Sequence, residues 1–216
     1  MRIQVTVDLV IFTVHESALK VLLVKRSARP FKGRMEIPGV VIRKNESLEQ
    51  AALREMTEET SAHQVYLEQL YSFGDPRRHP CNRVVTVAYY ALLPADRAQQ
   101  VSGNGWRNVD QLPPLAFDHR RIIDYAIERL RNKLEYSTAG FQLLPKKFTL
   151  SELQAVYETI LGKKLDKRNF RKKMNLLRIL KPLKEWRRTG RKPARLYMFV
   201  GKKFEKLKDK GILFPF

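Results

Sequence analysis

Apolar and polar residues alternate along the first 25 positions of the chain in a pattern that predicts two β-strands. Residues 4–9 alternate regularly, and the apolar run 10–12 extends them as a buried strand. A polar turn at residues 15–17 precedes a second apolar segment at residues 20–24. Two further strand-like segments lie at residues 65–71 and 84–93.

Helical patterns occupy two of the intervals that follow. Ser47 and Gln50 form a capping box and Glu49 places negative charge in the first turn, so a helix is predicted to begin here. A long linker helix at about residues 118–135 carries an apolar stripe on one face. The stripe consists of Ile122, Ile123, Ala126, Ile127 and Leu130. Strands alternating with helices predict that residues 1–137 form one α/β or α+β unit.

A second unit is predicted over residues 138–216. A capping box at Thr149 opens one helix, and Asp166 caps a second helix at residues 167–178. A hairpin pattern with a turn rich in Gly, Pro and Arg follows at residues 183–199. Helix, turn, basic helix and β-ribbon together are typical of a winged helix-turn-helix domain.

The net charge of +20 is distributed unevenly along the chain. Residues 1–140 contain 20 basic and 16 acidic side chains, whereas residues 141–216 contain 22 basic and 6 acidic ones. This asymmetry predicts a polyanion partner for the C-terminal part, with nucleic acid favoured over an anionic membrane. The alternative is that part of the excess is a solvated basic tail at residues 202–210.

Two further features bear on the environment of the protein. No apolar run approaches the ~20 residues that a membrane span needs, and residues 1–4 lead directly into the first strand without an apolar signal segment. Cys81 is the single cysteine, so it can form neither an internal disulfide nor a cysteine-rich zinc site. We therefore expect a cytoplasmic protein with no membrane partner.

Residues 54–59 place three carboxylates on one face of the first helix. Glu55, Glu58 and Glu59 lie within about 100° of one another around the helix axis. Like charges this close repel, and a hard divalent cation such as Mg²⁺ would neutralise them. A solvated acidic face is the alternative, and on an arbitrary helix it is the more common one.

The surroundings of these carboxylates resemble the Nudix box, G-x5-E-x7-R-E-U-x-E-E-x-G-U, in which U is a bulky aliphatic residue. The resemblance covers residues 40–62. It implies an α/β/α sandwich that binds Mg²⁺ and hydrolyses a diphosphate linked to another group, since a metal neutralises the diphosphate and activates water. It implies that Arg54 orients the carboxylates and pairs with Glu46. The implied metal ligands and catalytic carboxylates are Glu55, Glu58 and Glu59.

Three positions depart from this box. Val40 and Ser61 stand where the first and last glycines belong, and Ala62 is small for its aliphatic position. A side chain at a glycine position opposes positive φ angles and crowds the close approach of backbone. We therefore expect ligand binding without efficient turnover, while the intact glutamates leave weak pyrophosphatase activity open.

Segments on either side of the box, with the winged helix, are similar to the NrtR family of Nudix-related transcriptional regulators. These segments are residues 74–77, 117–119, 136–137, 148–158, 169–173 and 190–197. Members fuse a Nudix-type effector domain to a winged helix and generally act as dimeric repressors of NAD-biosynthesis operons that release DNA on binding ADP-ribose. The resemblance, which spans most of residues 4–200, predicts such a repressor. A sugar-responsive regulator of pentose catabolism and a Mg²⁺-dependent ADP-ribose pyrophosphatase are the alternatives.

The basic side chains of the second unit supply candidate DNA contacts. On the second helix, Arg and Lys side chains suit guanine edges in the major groove and Asn suits adenine. These residues are Arg168, Arg171, Lys172 and Asn175. The ribbon residues are expected to hold phosphates or to enter the minor groove, namely Arg187, Arg188, Arg191, Lys192 and Arg195. A protein-binding winged helix with solubilising charges is the alternative.

The effector contacts are predicted from the loops of the first unit. Arg26, Arg77 and Arg78 lie in or beside irregular loops and are suited to clamp a diphosphate, although each is equally compatible with a surface position. The four histidines lack metal-ligand spacing and are expected to be structural or solvated. Trp106 and Trp186 are expected to be packing residues.

Overall fold

The computed structural model describes residues 3–101, 105–188 and 193–201. The chain forms two compact units, which divide between Arg129 and Leu130 inside a helix, rather than after residue 137 as the sequence suggests. The reason lies in the last turn of that helix. Leu130 and Leu134 are buried, and the Arg131 Nε donates a hydrogen bond to the Ile160 carbonyl oxygen at 2.9 Å. The end of the predicted linker helix therefore belongs to the second unit.

The first unit contains a six-stranded sheet, a short two-stranded sheet and flanking helices. In chain order its elements are β1 (Gln4–His15), β2 (Ala18–Leu22), β3 (Val24–Lys25), β4 (Met35–Glu36), β5 (Gly39–Val41), α1 (Leu48–Thr60), β6 (Tyr66–Phe73), β7 (Val84–Leu92), α2 (Ala95–Ala98), β8 (Trp106–Asn108), a 3-10 helix (Val109–Gln111) and α3 (His119–Leu134). The large sheet has the order β6-β7-β1-β2-β8, and β5 also pairs with β1. Strand β1 runs parallel to β7 and antiparallel to β2 and β5.

Both faces of β1 are buried, so the large sheet lies in the interior of the first unit. Leu9 and Ile11 lie on one face, where they pack with Met56 and two alanines of α1. Val10 and Phe12 alternate with them and are fully buried as well. Helix α1 begins at the predicted Ser47 capping box, with both reciprocal hydrogen bonds present.

The second unit is the predicted helix-turn-helix followed by a β-ribbon. After a 3-10 helix (Ala139–Leu143) its elements are α4 (Leu150–Leu161), α5 (Lys167–Leu177), β9 (Leu180–Arg188) and β10 (Pro193–Phe199). The predicted caps at Thr149 and Asp166 are present, and Gly162 ends α4 in the left-handed conformation with φ 68°. Strands β9 and β10 pair antiparallel with an irregular register between Arg195 and Tyr197. Among the described residues, none of the helices is both long and apolar enough to cross a bilayer.

Candidate effector cavity and nucleic-acid interface

The spacing of the box brings Arg54 and Glu46 together as predicted. The Arg54 guanidinium holds both oxygens of Glu46, with Nε to Oε1 at 2.7 Å and Nη2 to Oε2 at 2.9 Å. This hydrogen bonding from Arg54 lowers the pKa of Glu46 to about 2. The pair ties the loop before α1 to the middle of the helix, and thereby fixes the start of the carboxylate face.

Burial and repulsion raise the pKa values of two carboxylates that lie further along α1. Glu55 is buried, and this desolvation, together with the charges of Glu59 and Glu58, raises its pKa to about 7, although a hydrogen bond from the Gly39 backbone opposes the shift. Burial and the charge of Glu58 also raise the pKa of Glu59. The predicted carboxylate face therefore exists, and its charges are partly suppressed.

The three predicted metal ligands on α1 have different neighbours. Across residues 3–101, 105–188 and 193–201, no three acidic, His or Cys side chains are grouped closely enough to hold one ion. A Glu58 oxygen lies 3.7 Å from Arg54 Nη1, while Glu55 is directed to the Gly39 backbone. Mg²⁺ binding at this face of α1 stays a prediction of the box.

Val40 and Ser61, which replace the two glycines of the box, differ in backbone conformation. Ser61 caps α1 in the left-handed conformation, with φ 53° and ψ 14°, so the substituted serine lies where glycine would be unstrained. Val40 instead lies in regular strand β5 opposite Val7 and needs no positive φ. The close backbone approach falls one residue earlier, because a Cβ on Gly39 would lie 2.6 Å from the Asp8 Oδ1.

A cavity of about 980 Å³ opens beside β1 and β5 in the first unit, with an aromatic wall. The His79 ring stacks on Phe117 at 5.1 Å between centroids, and Phe31 meets Phe117 edge-on at 5.1 Å. The Arg26 guanidinium lies 4.7 Å from the centroid of Phe117. Phe31 and Phe117 both have left-handed backbones, with φ of 64° and 50°. Strain of this kind at bulky residues is typical of functional sites.

Sequence reasoning did not identify this wall. Phe31 lies in the loop rich in Pro, Gly and Arg, and Phe117 belongs to a segment similar to the NrtR family without any role predicted for its ring. His79, expected to be structural or solvated, lies in the wall, and burial lowers its pKa. An aromatic residue among charged loop residues was the available signal, and only the fold brings the three rings together.

The three predicted effector arginines occupy different environments. Arg26 and Arg78 line the cavity, whereas Arg77 lies outside the lining with its side chain 93% exposed. Arg26 pairs with Glu36, Nη1 to Oε2, at 2.9 Å. Arg78 is only 5% exposed and is held by Asp118 at 2.8 Å and by Asp8 at 3.0 Å. The structure therefore brings two of the three arginines to one site, and both have carboxylate partners.

The start of α3 forms part of the same wall. Phe117 and Asp118 immediately precede the helix, and His119 is its first residue. The His119 Nδ1 accepts a hydrogen bond from the Ile37 backbone N–H at 3.2 Å. Burial lowers the pKa of His119, which keeps the ring neutral and able to accept. His119 therefore has the structural role that the sequence suggests, and the role is to fix α3 to the cavity.

Helix α5 presents a cationic outer face. Phe170 and Met174 are fully buried and anchor its inner side. The four side chains predicted to read the major groove are all exposed and share the opposite side, and these are Arg168, Arg171, Lys172 and Asn175. A helix with one buried stripe and an opposite basic face has the form required of a groove-reading helix.

The ribbon residues are less uniform. The Arg187 Nη1 donates to Glu152 Oε1 at 2.9 Å, so Arg187 has an ion-pair partner in its own domain, while Arg188 is exposed. The exposed Arg195 donates from Nε to the Leu183 carbonyl oxygen at 2.7 Å. The predicted contacts Arg191 and Lys192 lie outside the described residues.

The two tryptophans differ in burial. Trp106 packs against the core of the first unit and donates from Nε1 to the Ala98 carbonyl oxygen at 3.0 Å, as expected of a packing residue. The same expectation is wrong for Trp186, which is 62% exposed on β9, because a narrow two-stranded ribbon buries only one of its faces.

Fold and sites together define a Nudix domain joined to a DNA-binding winged helix. The NUDIX domain family model matches residues 2–126, and that of the NrtR DNA-binding winged helix domain matches residues 140–199. The ADPR-responsive transcriptional repressor of Acinetobacter baylyi is 36% identical over 97% of this chain and 85% of its own length. The chain belongs to the NrtR family of Nudix-related transcriptional regulators, and the predicted fold is confirmed.

Two solved structures give the same result. Shewanella oneidensis NrtR complexed with a 27-mer DNA matches with a TM-score of 0.85 and 38% identity, covering 93% of this chain and 95% of that one. The NUDIX domain of the same protein, complexed with ADP-ribose, matches with a TM-score of 0.51 and 40% identity over 60% of this chain and 90% of that one. These relatives are captured with the two kinds of partner that the sequence predicts.

Proposed function

We propose that this chain is a transcriptional repressor that binds operator DNA through its winged helix and releases it when ADP-ribose occupies the cavity of its Nudix domain. The observation that carries the proposal is the outer face of α5, where four groove-reading side chains are exposed together opposite the buried Phe170 and Met174. A DNA complex of a relative with 38% identity supports it.

The cavity suits ADP-ribose in size and chemistry. Its volume of about 980 Å³ lies near the upper end of the range of ligand pockets. The rings of Phe31, Phe117 and His79 offer a surface for a planar base. The guanidinium groups of Arg26 and Arg78 can donate hydrogen bonds to a diphosphate that competes with their carboxylate partners. A related NUDIX domain is known in complex with ADP-ribose. The glutamates of α1 are not needed for binding in this scheme.

Helix α3 offers a path by which the ligand can act on DNA binding. Its first residues belong to the cavity wall, and its last turn belongs to the second unit. A diphosphate that competes with Asp118 for Arg78 would disturb the point at which α3 is attached. The protein can exist in an arrangement that binds DNA and in one that does not. ADP-ribose releases DNA only if it binds the second arrangement more tightly than the first.

The repressor acts as a homodimer in the cytoplasm and controls genes of NAD metabolism. A dimer places two α5 helices on the half-sites of a palindrome, so a change in their spacing weakens both contacts at once. ADP-ribose is a product of NAD breakdown, so its accumulation would relieve repression of NAD synthesis.

A gel-shift titration with a palindromic operator tests the proposal. If each protein contacts six to ten phosphates, affinity should fall by ~10³–10⁵ between 50 and 200 mM salt. ADP-ribose should release the DNA at fixed salt, and ribose 5-phosphate at the same concentration serves as the control ligand. Release by pentose-derived ligands alone would favour the sugar-responsive regulator, and absence of operator binding at any salt would refute the proposal.

A turnover assay separates the repressor from the hydrolase. The protein is incubated with ADP-ribose and Mg²⁺, and AMP is measured. Slow or absent turnover is expected, since Ser61 replaces the last glycine of the box and Glu55 is buried with a hydrogen bond from the Gly39 backbone. Rapid AMP release that is abolished by Glu59→Gln would establish the pyrophosphatase instead.

A further inference from the structure

An exposed indole stands on the basic ribbon of the winged helix. Trp186 lies near the end of β9 and is 62% exposed, although tryptophan is the largest apolar side chain and is usually covered. The neighbouring Arg188 is also exposed. An exposed indole beside cations suits a partner that is both anionic and partly apolar.

The face of β9 on which Trp186 lies is the outer one. The side chains on either side of it in sequence are used within the domain, since Glu185 binds the Lys147 Nζ at 2.7 Å and Arg187 binds Glu152 at 2.9 Å. Because successive side chains of a strand point to opposite faces, Trp186 lies on the face turned away from these contacts.

This outer face continues to the groove-reading helix. Trp186 pairs directly with Arg195 on β10, and directly opposed side chains lie on the same face of a ribbon. Arg195 in turn lines a cleft of about 340 Å³ with Asn175 and Arg178, at the C-terminal end of α5. Asn175 belongs to the predicted major-groove set. The indole, the cleft and the recognition face therefore form one surface of the second unit.

Double-stranded DNA satisfies all the requirements of this surface. Its phosphates match Arg188 and Arg195, and the walls of its minor groove, formed by deoxyribose and base edges, match an apolar ring. An apolar protein surface would leave the flanking arginines without partners. We propose that Trp186 enters the minor groove next to the major-groove segment read by α5 and contacts sugar and base edges there. The inference rests on the proposed function and adds an uncharged contact to it.

Operator affinity of matched variants tests the contact. Trp186→Ala should weaken binding about 10- to 100-fold, which corresponds to the truncation of one aromatic anchor at an interface, and Trp186→Phe should restore most of it. The slope of log affinity against log salt should remain unchanged, because no charge is removed, whereas Arg188→Ala should reduce the slope by about one. Met198→Ala, which shortens an exposed apolar residue on the other strand, is the control and should bind as the parent does.

Fluorescence provides an independent readout. The chain has two tryptophans, so Trp106→Phe leaves Trp186 as the only indole in the full-length protein. Operator DNA should quench and shift its emission, and ADP-ribose should reverse the change as the DNA is released.

Defined results would overturn the assignment. If Trp186→Ala binds within two-fold of the parent while Arg171→Ala loses affinity, the contact with Trp186 does not exist and the repressor function still stands. An emission that changes with protein concentration in the absence of DNA, and not with DNA, would assign the indole to a contact between copies of the chain. Failure of the parent protein to bind any operator would refute the proposed function itself.

Discussion

The arginines of the cavity in one unit and those of the outer face of α5 in the other have opposite environments. In the Nudix unit Arg78 is 5% exposed and forms ion pairs with Asp8 and Asp118, and Arg26 is paired with Glu36. In the winged helix, Arg168 and Arg171 are exposed on the outer face of α5. The first set is organised by carboxylates before any ligand arrives, while the second set is solvated.

This difference determines what each unit can recognise. A paired, buried arginine cannot attract a general polyanion, and only a ligand that reaches its guanidinium inside the cavity can compete with its carboxylates. Exposed arginines contribute little to folding and are available to any phosphate backbone, with a strong dependence on salt. Substitutions should therefore affect stability in the first unit and DNA affinity in the second.

The largest expected effect is at Arg78. Arg78→Ala would leave Asp8 and Asp118 without their shared cation in a buried site, which should lower the free energy of unfolding by about 3 to 5 kcal/mol. Urea denaturation followed by circular dichroism measures the change. The matched control is Arg77→Ala, whose side chain is 93% exposed and which should change stability by less than about 0.5 kcal/mol. Similar losses in the two variants would show that the buried triad does not organise the cavity.

On α5 the effect should fall on binding alone. Arg171→Ala removes an exposed side chain predicted to read a guanine edge, so operator affinity should fall by about 1 to 3 kcal/mol, with relaxed specificity at one base pair. Stability and ADP-ribose affinity should remain unchanged. Quantitative gel shifts on the operator and on single-base variants measure this, with the exposed Lys44→Ala as the control on the Nudix unit. Unchanged operator affinity would remove Arg171 from the groove.

The sequence predicts features within one element well and features that join separate elements poorly. Helix caps at Ser47 and Thr149, the pairing of Arg54 with Glu46 and the outward face of α5 all follow from spacing within one element, where geometry is fixed by the helix repeat. The aromatic wall does not, because Phe31, His79 and Phe117 come from three separate loops. The exposure of Trp186 depends on how many faces of a ribbon are covered, which no local pattern specifies.

A smaller effect is expected at Glu55, where stability should depend on pH. Its folded pKa of about 7 lies above the ordinary value of 4.5, so its ionisation opposes folding and stability is lost as pH rises between these values. Glu55→Gln should therefore be more stable than the parent at pH 8 by about 1 to 2 kcal/mol, allowing for solvent screening, and equal to it at pH 4. Urea unfolding at the two pH values measures the difference.

Two controls make the Glu55 experiment informative about metal. Glu58→Gln, at a side chain that is 55% exposed, leaves Glu55 in place and should therefore keep most of the parent's dependence of stability on pH. Mg²⁺ that stabilises the parent at pH 8 but not Glu55→Gln would show that the carboxylates bind the cation that the box implies. A parent protein whose stability is the same with and without Mg²⁺ would restrict this face of α1 to a structural role. A Glu55→Gln variant that is less stable at pH 8 would contradict the assignment of buried charge.

The smallest expected effect on stability is at the end of α1, where Ser61 replaces the last glycine of the Nudix box. Ser61 has a φ of 53°, a conformation that costs an L-residue roughly 1 to 2 kcal/mol and glycine almost nothing. Glycine also has more freedom to lose on folding, so Ser61→Gly should gain only about 0.5 kcal/mol, measured as a rise in the urea midpoint. Ser72→Gly, the same substitution in strand β6, should instead lose stability. If both variants lose stability equally, Ser61 is not strained, and its replacement of the box glycine requires a different physical explanation.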